Sequence, residues 1–262
     1  MQNNSTFANS PPSLTSWPPD AFRLGVTLLV AAGALVAVFL PSILYLIVAI
    51  VIGAVRVEPG HPERIPPVHL IAAQIVAYVP LAIYLLVAVP RIAHRSLHDL
   101  GIRMPTLKEL GIGALGTVVM FVVVFSSSLI IESVTHLHDT EAAVVLLKAL
   151  HGLSEKVAFV VMAVALAPMV EELAFRVFAF NAFASRTPVG VAAVLSGLAF
   201  GVVHAFGSPP SQLLTVAIPL ALGGIVLALV YARTRCYWSN VVTHALFNSI
   251  SVVAYFGFHA KV

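Results

Sequence analysis

The sequence predicts an all-α, polytopic transmembrane helical bundle of about seven spans, and three observations carry that prediction. Of its 262 residues, 60% are hydrophobic and only 10% are charged, against roughly a quarter charged in an ordinary soluble domain. Mean hydropathy is +1.00, so the chain lacks the charge to clothe a water-facing surface. Several apolar runs reach the roughly 20 residues that a helix needs to cross a bilayer.

Seven apolar segments are legible, at about 24–55, 68–89, 110–131, 157–181, 189–205, 212–231 and 238–258. The first is too long for one upright span at about 1.5 Å per residue, and Pro41 divides it. It reads either as one tilted, kinked helix or as a hairpin that adds an eighth span. Residues 1–22 are rich in Ser, Asn and Pro and read as a disordered polar tail. Residues 23–95 form the N-terminal membrane helices, and 96–262 the remaining core. No basic cluster precedes a short apolar core, so a cleaved signal peptide is not expected.

With seven spans, Arg23, Arg91, Arg95, Arg103, Lys108, Arg186, Arg233 and Arg235 fall on one side. Arg56, Arg64, Lys148, Lys156 and Lys261 fall on the other. The excess favours a cytoplasmic N-terminus. Net charge is +3, but the cations are scattered through short loops without a basic stripe, which argues against a nucleic-acid partner. Cys236 is the sole cysteine, so no intrachain disulfide forms. Between spans three and four, residues 140–150 suit a short interfacial amphipathic helix. His136, His138 and Asp139 resemble a ligand cluster but lie in a polar connector and read as solvated loop residues.

Acids nearly vanish from the second half. After Glu155 only Glu171 and Glu172 remain, and both interrupt an apolar run. A charge within a span costs at least about 2.5 kcal/mol on insertion scales, so it points to function by default. Glu172 and Arg176 are four apart on one helix face and can neutralise each other. Glu171 lies about 100° round the helix and is left to face a cavity. Pro168 cannot donate to the Val164 carbonyl, so the helix should kink or loosen just before the acids. The next span ends at His204, after Gly197 and Gly201, whose GxxxG spacing permits close helix approach. In the last span, His244 and Asn248 are four apart and project from one face.

These groups form a set suited to hydrolysis. A carboxylate and one histidine can polarise a water between them, while a second histidine and an asparagine amide can donate to an oxyanion. The expected chemistry needs no cofactor. A zinc alternative uses Glu171, His204 and His244 as three ligands with water at the open position, although an HExxH motif is absent. Two non-proteolytic readings use the same residues: a proton-coupled transporter with Glu171 as relay, and a non-enzymatic immunity or scaffold protein locked by its polar cluster.

The patterns also carry a family resemblance. Residues 171–176 read EELAFR, matching EExxxR; 200–204 read FGVVH, matching FxxxH; and 244–248 read HALFN, matching HxxxN. In that order on successive late helices, they resemble the CAAX protease and bacteriocin-processing (Abi) family of intramembrane glutamate endopeptidases. The stretch from Ser96 to Arg103 is similar to a segment that often precedes this core, so the likeness spans about 96–250. It implies a peptide-bond hydrolase in the lipid bilayer with a peptide or protein substrate. Glu171 and His204 would activate water, His244 and Asn248 would hold the oxyanion, and Glu172 and Arg176 would brace the site. Prenylated CAAX substrates follow only if the source makes them.

One expectation is geometric. Counted at about 1.5 Å per residue from the presumed cytoplasmic face, Glu171 lies about 15 Å deep, His204 about 23 Å and His244 about 9 Å. The mechanism requires that they nevertheless surround one cavity.

Overall fold

The computed structural model describes residues 17–56, 65–137, 146–206 and 213–258. Seven long helices follow in chain order: α1 (Leu24–Val51), α2 (Pro67–Ala93), α3 (Leu107–Thr135), α4 (Leu153–Ala184), α5 (Val189–Ala205), α6 (Leu213–Thr234) and α7 (Tyr237–Phe258). No strand occurs among the described residues. Five helices, α1 to α4 and α6, are long and apolar enough to cross a membrane, and α5 is a shorter apolar helix. The protein is an integral, multi-pass helical bundle.

Each expected apolar run corresponds to one helix. The first is a single helix with Pro41 inside it, not a hairpin. The expected tail is only partly within the described residues, because 1–16 lie outside them. Residues 17–22 pack against the bundle. Phe22 is fully buried, its N–H donates to the Ile92 carbonyl at 2.7 Å, and its ring meets Trp17 edge-on. Arg186 donates to the Phe22 carbonyl. An aromatic pair seated on a helix end holds these residues in place despite their polar neighbours. Of the proposed interfacial helix, residues 140–145 lie outside the described residues, and Leu147 and Leu150 beyond them are buried. His138 and Asp139 also lie outside, while His136 ends α3 in a left-handed conformation.

Helix α4 is the axis of the site and is not a uniform α-helix. Wider π turns occupy Met162–Leu166 and Leu173–Phe180, and one α-helical stretch, Ala167–Glu172, lies between them. The first π segment ends two residues before Pro168, whose missing N–H breaks the regular ladder as the sequence predicts. In lipid every freed carbonyl needs a partner, and neighbouring side chains supply them. Asn248 donates to the Ala163 carbonyl at 2.8 Å, Ser196 to Phe175 at 2.8 Å, and Asn181 to Val177 at 3.0 Å.

Helices α5 and α6 lie nearly backbone to backbone. A Cβ at Gly197 would stand 2.6 Å from the Ala221 carbonyl oxygen, and one at Gly201 would stand 2.3 Å from that of Ala217. Opposite them, Gly224 admits Gly197 and Phe200. The expected GxxxG contact therefore seats His204, at the last turn of α5, beside the bundle interior.

The turn between α6 and α7 is sunk beneath the α2–α3 connector. Leu100, Cys236 and Tyr237 are buried. The Tyr237 N–H donates to the Gly101 carbonyl at 2.8 Å, and the Tyr231 hydroxyl donates to the Leu100 carbonyl at 2.6 Å. Gly101 takes φ +85°, and a Cβ there would meet the Arg235 carbonyl oxygen at 2.6 Å. A Thr106–Glu109 capping box starts α3, and Arg103 pairs with the same Glu109. That carboxylate holds the Arg103 guanidinium above its usual range.

The α5–α6 contact can be tested by overpacking. Gly201→Val should lower the melting temperature in detergent, an effect worth about 1–3 kcal/mol or more. Gly190→Ala serves as control, since no heavy atom lies within 4 Å of its added Cβ. Equal stability of the two variants would contradict the close approach.

Candidate active site

The α-helical stretch Ala167–Glu172 carries both acids, and successive positions on it face different neighbours. Glu172 turns toward α7. Its Oε1 lies 2.9 Å from His244 Nδ1, and its Oε2 accepts from Asn240 Nδ2 at 2.5 Å. Arg176 Nε stands 3.2 Å from the same Oε2, with both side chains fully buried. The guanidinium also donates to the Gly224 carbonyl at 3.1 Å and lies 4.9 Å from the Phe200 ring centroid. The expected Glu172–Arg176 pair is present, within a larger network.

Glu171 turns the other way, toward side chains of α2, α5 and α7. Its Oε2 lies 3.6 Å from His204 Nε2 and 3.8 Å from His244 Nε2. Its Oε1 accepts the Tyr78 hydroxyl at 3.2 Å. The Glu171 and His204 side chains retain 16% and 20% exposure, whereas His244 retains 4%. The first two can therefore reach an incoming molecule, while His244 forms the wall behind them.

Hydrogen-bond partners assign the ring protons. His204 Nδ1 faces the Phe200 carbonyl at 2.8 Å, which only accepts, so Nδ1 carries a hydrogen. His244 Nδ1 faces the Glu172 carboxylate and carries one for the same reason. Both Nε2 atoms are thereby turned toward Glu171 Oε2. In the neutral rings these are lone pairs meeting a carboxylate oxygen, an arrangement that a shared proton or a water donating to two of them completes.

The four expected catalytic side chains are not equally placed. Glu171, His204 and His244 converge. Asn248 lies on the same face of α7 as His244 and uses one amide hydrogen on the Ala163 carbonyl, leaving its second. The calculated depths reconcile for two reasons. Helix α4 runs to Ala184, three residues beyond its expected end, which deepens Glu171 relative to the α4–α5 loop. The start of α7 is itself sunk, which lowers His244.

Sequence reasoning missed Asn240, Tyr78 and Gln74. Asn240 precedes His244 by four residues as Asn248 follows it, so the i, i+4, i+8 stripe was a readable signal. Tyr78 and Gln74 are also four apart, but on α2, in an apolar run without any acid. Nothing there marked them. As for a metal, the donors available are Glu171 Oε2 and the two Nε2 atoms. No group of three or more His, Cys, Asp or Glu with metal-binding spacing occurs among the described residues.

Comparison with known proteins finds one similarity, confined to part of the chain. Residues 153–250 match the family described as type II CAAX prenyl endopeptidase Rce1-like. That segment runs from α4 into α7 and holds every expected site residue. It begins after the Ser96–Arg103 stretch. No curated protein matches, and no solved structure does.

The unlike surroundings of the two acids lead to a stability contrast. Glu172→Gln strands a buried guanidinium and should cost about 3–5 kcal/mol, read as a fall in melting temperature in detergent. Glu171→Gln, at a partly exposed side chain, should melt much closer to the parent. Equal falls would refute the difference between the two environments.

Proposed function

We propose that this chain, whose residues 153–250 match the family described as type II CAAX prenyl endopeptidase Rce1-like, is an intramembrane endopeptidase in which Glu171 and His204 activate a water. The observation that carries the reading is the convergence of Glu171 Oε2 with His204 Nε2 at 3.6 Å and His244 Nε2 at 3.8 Å. Those separations suit a bridging water, which has two hydrogens to give and an oxygen lone pair left for attack.

In the first step the water oxygen bonds to the scissile carbonyl carbon and its proton passes to Glu171, oriented with His204. The carbonyl π electrons move onto oxygen. Before attack His244 takes a proton from solvent at Nε2, and the imidazolium donates through Nε2 to that oxyanion and keeps its proton throughout, with the Glu172 carboxylate behind Nδ1 offsetting its charge. The second amide hydrogen of Asn248 is assigned to the same oxyanion. In the second step the C–N bond breaks, the amine takes the proton from Glu171, and a carboxylic acid remains. No protein–substrate bond forms.

Glu172, Asn240 and Arg176 act as the brace that fixes the His244 ring. The low-polarity surroundings favour these charges over water's competition, and the partial exposure of Glu171 and His204 marks the side from which substrate arrives. We assign the catalytic core to residues 96–262, because the α2–α3 connector sets the depth at which α7 begins. The same site suits a peptide presented at the membrane. The prenylated class is the substrate to try first on family grounds.

The test is cleavage of a fluorogenic peptide ending in a farnesylated CAAX sequence by purified full-length protein, beside its unprenylated counterpart. Glu171→Gln and His204→Ala should each reduce kcat by at least about 100-fold, the range of a positioned general base. Activity should survive a strong chelator. Chelator sensitivity reversed by zinc would replace the metal-free mechanism with a three-ligand metal one. Parental cleavage by Glu171→Gln would end the case for Glu171 and revive the transport or scaffold readings.

A further inference from the structure

The two oxygens of Glu171 have unlike partners. Oε2 faces the two imidazoles, whereas Oε1 accepts the Tyr78 hydroxyl at 3.2 Å. Tyr78 is 7% exposed and stands on α2, outside the matched segment. One turn earlier on α2, Gln74 Nε2 donates to the Tyr78 hydroxyl oxygen at 2.7 Å. A phenol has one hydrogen. With its oxygen accepting from Gln74, that hydrogen is left for Glu171, so the Gln74–Tyr78 pair is a directional relay aimed at Oε1.

A glutamate carboxylate rotates about its last torsion over a broad range. Untethered, it would present either oxygen, at varying angles, to His204 and the water. Resting on the reading of Glu171 as the water-activating group, we propose that Tyr78 is a positioning residue for that reaction. It pins Oε1 so that Oε2 alone meets the water and His204, and Gln74 fixes the direction of its proton. Tyr78 touches neither water nor substrate and acts through Glu171. The family-matched helices therefore form the reactive set, and α2 supplies the tether that orients it.

The alternative is a plain structural tie between α2 and α4, and kinetics separate the two. In the purified full-length protein, with the farnesylated peptide as probe, Tyr78→Phe keeps the ring and removes the hydroxyl. Loss of one bond to a charged acceptor should lower kcat about 10- to 100-fold, with KM and melting temperature near the parental values. Gln74→Leu should cause a smaller loss in kcat, since the phenol proton remains but is no longer directed. Glu171→Asp withdraws the carboxylate by one methylene from Tyr78. Adding Tyr78→Phe to it should therefore slow the enzyme no further, the non-additivity expected when one residue acts through another.

Parental kcat in Tyr78→Phe overturns the proposal. So does a loss that lies in KM, one that tracks an equal fall in stability, or one that multiplies in full with Glu171→Asp. Glu171→Gln, run alongside, separates the two claims. If it is inactive while Tyr78→Phe is parental, only the positioning role fails. If Glu171→Gln cleaves normally, the water-activation reading fails and takes the positioning role with it.

Discussion

Two carboxylates on consecutive residues, inside a bundle nearly free of charge, constrain most of what surrounds them. Neither can face lipid, and adjacent positions on a helix cannot share one set of partners. Glu172 is answered completely, by a histidine, an asparagine and a buried guanidinium, and is wholly enclosed. Glu171 is answered incompletely, by one phenol and two ring nitrogens at distances that leave room between them. The same side chain is thus fully partnered in one environment and left with open hydrogen-bonding capacity in the next, because adjacent helix positions face different neighbours.

The backbone is bound into the same arrangement. Two π segments flank the acid-bearing turn, and such turns leave carbonyls that lipid cannot satisfy. The quenching donors come from the helices that build the site: Ser196 from α5 and Asn248 from α7. Asn248 therefore combines a backbone duty with its place beside His244. Its amide has two hydrogens, so the two roles are compatible. The acids themselves sit on the regular turn between the two π segments, and polar residues of α5 and α7 quench the carbonyls those segments free.

Much of this was legible in the sequence, for physical reasons specific to membranes. A span has so few polar residues that each stands out, and helix periodicity then says which share a face. The seven helices and the glycine contact between α5 and α6 were found this way, and Glu171, Glu172, Arg176, His204, His244 and Asn248 were singled out as candidates. What escaped is equally instructive. Tyr78 and Gln74 carry no charge and belong to a helix remote in sequence, and tyrosine is ordinary in membrane helices. Only the fold brings them to Glu171. The anchoring of residues 17–22 escaped because two aromatic rings decided it against a polar, proline-rich background.

The depth mismatch had a deeper cause than misplaced helix ends. Counting residues from a loop presumes that the loop lies at the surface, and the α6–α7 turn does not. It is held inside by the α2–α3 connector, through Leu100, the Gly101 carbonyl and the tight contact of Gly101 with Arg235. Because α7 begins there, that connector sets how far His244 sits along the bundle, and so whether its Nε2 meets Glu171. The connector precedes the family-matched segment, as α2 does. The converging side chains of Glu171, His204 and His244 thus lie in one half of the chain, while contacts that register them come from the other. A segment comprising residues 153–250 alone would contain every expected catalytic side chain and still lack what brings them to one depth.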